Sequence, residues 1–127
     1  MNEKMLVFWS GVREEVPLLV GVFPFGMIYG ALALKAGLGL AASQMMSSIV
    51  FAGSSQFIAA QLIHDAAPSL VIVLTIAVVN LRHMLYSASI APYLEKLSIR
   101  WKVLLSYLLT DEAYAPTSLK FEREGAS

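Results

Sequence analysis

The chain has 127 residues, 57% of them hydrophobic and only 14% charged, with zero formal net charge and no cysteine. A soluble domain carries about a quarter charged residues, so the deficit, with a mean hydropathy of +0.68, points to a membrane protein. The neutral balance removes the electrostatic case for nucleic acid, and the missing cysteine removes disulfides, thiolate metal sites and cysteine nucleophiles together.

Residues 1–15 hold Lys4 and Arg13 around a short apolar core and read as an amphipathic lead-in helix. That core is too short for a secretory signal. Three uncharged runs follow, at 16–34, 38–63 and 66–81, and each approaches or exceeds the roughly 20 apolar residues that cross a hydrocarbon core once the third extends through Arg82. In the first run Pro24 cannot donate to the carbonyl of Val20. With Gly21 and Gly26 beside it, a kink or break at Phe23-Pro24-Phe25-Gly26 is expected. One reading makes this a packing kink, the other makes it backbone offered to a substrate. The second run crowds Gly53, Ser54, Ser55 and Gln56 near its centre. These residues either glue helices together or mark an unwound helix that offers main-chain groups to a ligand. His64-Asp65 reads as a surface turn.

The third run carries Asn80-Leu81-Arg82-His83 in an apolar setting. If 68–94 is one helix, Thr75, Val79, Arg82, Tyr86, Ser89 and Tyr93 share one stripe, which is expected to face protein or an aqueous path. A competing topology breaks the segment at Asn80–His83 into two half-helices, and the pattern does not choose. A fourth apolar stretch, 103–109, runs into Thr110-Asp111-Glu112 and, if helical to 119, brings both acids near the membrane. Orientation by Lys and Arg in the loops depends on the same choice of topology. The expected fold is all-α, a polytopic transmembrane helix bundle with kinked or discontinuous helices. It has a lead-in at 1–15, a membrane domain of about four segments at 16–119 and a polar tail at 120–127.

A mid-membrane Arg costs about 2.5–3.5 kcal/mol on insertion scales and needs an offset. Asp111 or Glu112 supplies it in a purely structural reading. In a functional reading Arg82 takes the carboxylate of a small metabolite, because its planar fork binds carboxylates bidentately and stays charged. Asn80 and Gln56 would then be polar contacts, and Ser54, Ser55, Pro24 and Gly26 would line the path. Asp111 or Glu112 would meet an ammonium group or carry a proton, with His83 a further proton candidate. No HExxH, GxSxG or paired-aspartate motif occurs, so neither enzymatic chemistry, a metal nor a cofactor is expected.

Phe23-Pro-Phe-Gly26 with Tyr29-Gly30, Phe51-Ala-Gly-Ser-Ser-Gln-Phe57, Asn80-Leu-Arg-His-Met-Leu-Tyr86 with Ala91-Pro92, and Thr110-Asp-Glu-Ala113 occur in this order. Together they resemble the AzlC family, the large subunits of bacterial branched-chain amino acid exporters. The resemblance implies a multi-pass permease subunit of the bacterial inner membrane that exports leucine, isoleucine, valine and sometimes methionine. It also implies a small hydrophobic partner subunit of the AzlD type. It covers only the N-terminal half of that family, so a fragment, a truncated reading frame or a designed chain is expected. The alternative is a non-transporting membrane scaffold whose polar residues only pack helices.

Overall fold

The computed structural model describes residues 2–50 and 52–124. Phe51, first residue of the second motif, and 125–127 of the expected polar tail lie outside the described residues. The helices are α1 (Glu3–Lys35), α2 (Leu40–Ile49), α3 (Gly53–His64), α4 (Ser69–Ile90), α5 (Ile99–Leu108) and α6 (Asp111–Glu124), with a 3-10 turn, Ala91–Leu94, after α4. No strand occurs among the described residues, and the all-α class stands.

Two segments, Glu3–Lys35 and Ser69–Leu94, are long and apolar enough to cross a membrane. The other four helices have 10, 12, 10 and 14 residues. At 1.5 Å per residue they reach about 15–21 Å, far short of the roughly 30 Å hydrocarbon core.

Two expectations change here. Of the kink or break expected at Phe23–Gly26, the break is absent, because α1 is helical through Pro24. Losing one hydrogen bond, at about 3 kcal/mol, does not interrupt a helix with long runs on both sides. Pro24 and Gly26 therefore contribute helical backbone, not an opened segment. The half-helix option at Asn80–His83 also falls away, since α4 is unbroken across it. Helices stop elsewhere instead, α2 at Ile49 before α3 opens at Gly53, and α5 at Leu108 before α6 opens at Asp111.

The chain divides into two compact units, 23–84 and the described residues of 1–22 with 85–127. In the unit of 23–84, α1 ends at a four-residue turn that uses Gly37 at φ 77°, a backbone state glycine adopts freely. The Tyr29 hydroxyl donates to the Ser43 carbonyl at 3.1 Å, which holds α2 folded back along α1. Ala52 is extended, at φ −98° and ψ 112°, and α3 then reverses direction. A side-chain bond from Gln56 to Ser47, 2.7 Å long, joins the two arms. Collinear helices would separate those residues by well over 10 Å, so α2 and α3 form a hairpin.

Its second arm runs parallel to α1. Near the tip, Phe25 lies 4.4 Å from Phe57 between ring centroids. Toward the other end, Leu32 and Lys35 share a small pocket with Ala60 and His64. At the tip itself the Phe25 ring occupies the space a side chain at Gly53 would need. Helix α4 begins four residues after α3 and reaches Ser55 only at Asn80, so it is antiparallel to α3 and to α1.

The unit of 1–22 and 85–127 repeats the device. Helix α5 follows the 3-10 turn after four residues, and Lys102 donates to the Glu95 carbonyl at 3.0 Å across that connection. Thr110 then starts α6, its hydroxyl accepting from the Ala113 N–H at 3.3 Å. Asp111 and Glu112 in the first turn suit the positive end of the helix dipole. Tyr86 stacks on Tyr114 at 4.2 Å and Tyr93 on Phe121 at 4.6 Å. Both partner numbers rise together, so α6 runs parallel to α4 and α5/α6 is a second hairpin. Lys120 reaches Ser10 at 3.4 Å, tying the end of α6 to the start of α1.

Filling the space at Gly53 should be costly. Gly53→Ala is expected to destabilise the chain by about 1–3 kcal/mol through overpacking against Phe25. Gly30→Ala, whose new methyl meets nothing within 4 Å, should be neutral or mildly stabilising. Thermal unfolding in detergent compares the two, and equal melting temperatures would refute the contact's role.

Candidate functional site

Helix α4 shows how an apolar helix carries a polar stripe. Thr75, Val79, Asn80, Arg82, His83 and Tyr86 are all half-buried, while Val78, Leu81, Met84 and Leu85 are more than half exposed. The stripe faces protein and the aliphatic side faces outward, as its 3.6-residue period requires. Ser89 and Tyr93, at the far end of the same stripe, are exposed.

The tip of the α2/α3 hairpin meets this stripe. Ser55 is fully buried and its hydroxyl donates to Asn80 Oδ1 at 2.5 Å. Gln56, 8% exposed, spends its amide on Ser47. The Ser54 hydroxyl oxygen is shielded from solvent and has no hydrogen-bond partner among the described residues. Arg82 Nε and Nη2 and His83 Nε2 are shielded too, so the cation on α4 is withdrawn from bulk water. Ser47, Ser54, Ser55, Gln56, Asn80, Arg82 and His83 thus occupy one compact unit whose exposed large side chains include Phe23, Met27, Ile49 and Val78.

Of the residues expected to form a site, Ser54, Ser55, Gln56, Asn80, Arg82 and His83 lie in this unit. Ser55 and Asn80 are joined directly. Pro24 and Gly26 flank Phe25, the ring packed on Gly53. Asp111 and Glu112 belong to the other unit, where they open α6 and Asp111 Oδ1 is shielded. Pattern reading missed Ser47, which is too far from Gln56 in sequence for a helical neighbour. It also missed the interruption before Asp111, although Thr110 followed by two acids is a helix-start signal.

Each unit has a cavity. In 85–127 a space of about 560 Å³ is lined by Ile90, Leu94, Leu105, Leu109 and Phe121, with Glu95 and Lys102 as its charged members. In 23–84 a smaller one of about 180 Å³ is lined by Lys35, Gln61, His64 and Asp65. There Gln61 donates to both Asp65 carboxylate oxygens at 3.1 Å. Among the described residues no group of three His, Cys, Asp or Glu converges as a metal cage would need.

Residues 17–126 match the protein family described as AzlC protein. The chain belongs to the AzlC family. Among similar proteins, inner membrane protein YgaZ of Escherichia coli K12 is 26% identical over 117 residues, 91% of this chain and 48% of YgaZ. A membrane protein of Archaeoglobus fulgidus is 32% identical over 122 residues, 95% of this chain and 53% of its own length. One from Helicobacter pylori 26695 is 28% identical over 128 residues, covering all of this chain and 55% of its own length. This AzlC-family chain therefore spans about half the length of the relatives it matches. No solved structure matches it.

The Ser55–Asn80 bond should be measurable as a coupling. Ser55→Ala leaves the half-buried Asn80 oxygen without its donor, at an expected cost of about 1–3 kcal/mol. Because the partners touch, Ser55→Ala combined with Asn80→Ala should cost less than the two single losses added. Unfolding of the four species measures this, and strict additivity would show that the bond does not hold the tip to α4.

Proposed function

We propose that this AzlC-family chain is part of an inner-membrane permease that exports branched-chain amino acids: leucine, isoleucine, valine and methionine. Family membership and the inner-membrane name of one relative support the membrane location. The observation that carries the transport reading is the shielded arginine on the half-buried face of α4, in the same unit as the interrupted helix pair α2/α3. Ionisable residues at such depth mark solute or ion paths, and half-helices are the usual form of a transporter's binding segments.

In this reading Arg82 takes the substrate carboxylate. Asn80, Gln56, Ser54 and Ser55 offer neutral polar contacts, and Pro24 and Gly26 present the helical wall beside the tip. Asp111 or Glu112 meets the ammonium group or carries the coupled proton, and His83 is the second proton candidate. A small hydrophobic subunit of the AzlD type completes the transporter.

A second reading has one observation in its favour. Ser55 with Asn80, and Gln56 with Ser47, already satisfy one another, which is what polar groups do in a membrane scaffold that binds nothing.

Leucine efflux from cells fed a leucine-containing dipeptide separates the two. The variant is placed in a chain carrying the second half present in the relatives, expressed with the small subunit. Arg82→Ala should lower efflux at least tenfold with normal membrane abundance. Arg82→Lys should fall between, having the charge without the bidentate fork. Normal efflux in Arg82→Ala would remove the carboxylate role, and a loss of abundance in step with efflux would favour the scaffold.

A further inference from the structure

The two long helices are each followed by the same things in the same order. After α1 come a four-residue turn, a 10-residue helix, a three-residue interruption and a 12-residue helix. After α4 and its 3-10 extension come a four-residue turn, a 10-residue helix, a two-residue interruption and a 14-residue helix. In both cases the last helix runs parallel to the long one, as the Phe25–Phe57 and Tyr86–Tyr114 contacts with their successors show. We propose that 3–64 and 69–124 are two copies of one membrane unit, a crossing helix followed by a re-entrant hairpin, inserted in opposite directions with the N-terminus in the cytoplasm.

The opposite insertion follows from counting crossings. A hairpin with arms of about 15–21 Å enters a core of about 30 Å and leaves on the side it entered. Each unit then crosses once, and an odd number of crossings turns the next unit over. The antiparallel course of α4 against α3 and α1, set by the Ser55–Asn80 bond, agrees with that count.

The charges decide the orientation. Of the nine Lys and Arg residues, Lys4 and Arg13 precede the apolar part of α1. Lys96, Arg100 and Lys102 surround the start of α5, and Lys120 and Arg123 end α6. The re-entrant topology puts all seven on one side and Lys35 alone on the other, with Arg82 between. If both hairpins crossed instead, the same residues would divide four and four. Cytoplasmic loops carry the excess of Lys and Arg, so the seven-to-one division both favours re-entry and puts the N-terminus inside. The Lys120–Ser10 contact joins two of these basic segments within the compact unit of 1–22 and 85–127.

The proposal rests on the membrane location argued above and not on any substrate. The chain has no cysteine, so single cysteines report sidedness without further engineering. Gly39→Cys, Ala66→Cys and Ser98→Cys sit in the three turns the topology assigns. With a membrane-impermeant maleimide on intact spheroplasts, the first two should label and Ser98→Cys should label only after permeabilisation. All three should label in detergent, which confirms that each variant is made. Labelling of Gly39→Cys and Ala66→Cys from opposite sides would mean that α2/α3 crosses, and would overturn the proposal. So would Ser98→Cys labelling from outside, or a chain absent from the membrane fraction. Changing Lys96, Arg100 and Lys102 to Glu should raise the externally labelled fraction of Ser98→Cys at least severalfold. Correct sidedness without leucine efflux would leave this topology standing and remove only the transport reading.

Discussion

The close approach of Phe25 to Gly53 is the contact on which the unit of 23–84 depends. A helix that stops halfway leaves N–H and carbonyl groups unpaired at its end, and in an apolar setting those groups must be shielded by protein. Glycine lets the start of α3 lie directly under an aromatic ring of α1. Phe57, one turn further along α3, closes on the same ring and on Tyr29. Ser55 and Gln56 can then spend their side chains on Asn80 and Ser47.

Very little of the chain is buried in the ordinary sense. Among the described residues the buried apolar set is Tyr29, Ile90 and four alanines, while large side chains such as Val20, Phe23 and Leu85 are about 70% exposed. Water would not tolerate such a surface. In lipid it costs nothing, because the hydrophobic effect no longer distinguishes inside from outside. Small residues, close backbone approach and side-chain hydrogen bonds then carry helix association. Ala33, Ala59 and Ala60, all buried, with the Ser55–Asn80 bond, fit that regime.

Composition and uncharged runs were sufficient for the all-helical class, and the 3.6-residue stripe on α4 was legible because burial of Thr75, Arg82 and Tyr86 follows directly from their spacing. The breaks were less legible. Pro24 drew attention because proline is a local disruptor, yet a long helix absorbs one lost hydrogen bond. No proline stands just ahead of α3, which opens at Gly53, where the ring of Phe25, distant in sequence, packs. At 109–110 the local signal did exist, in Thr110-Asp111-Glu112, but the apolar run ahead of it suggested a helix carried through. Pairings such as Gln56 with Ser47 depend on a chain reversal, which no single helix periodicity encodes. The first two family motifs meet at Phe25 and Gly53.

The two aromatic stacks between α4 and α6 have a mechanical consequence. Tyr86 with Tyr114 and Tyr93 with Phe121 lie seven residues apart on both helices, roughly 10 Å along the axis. A slip of one helical turn would part both stacks at once and offer no new aromatic partner. The helices therefore have one register and no neighbouring stop. The arm α6 is keyed to the end of α4 at two points, so the two travel as one rod, and any rearrangement of this unit must be taken up in the short non-helical joints at 95–98 and 109–110.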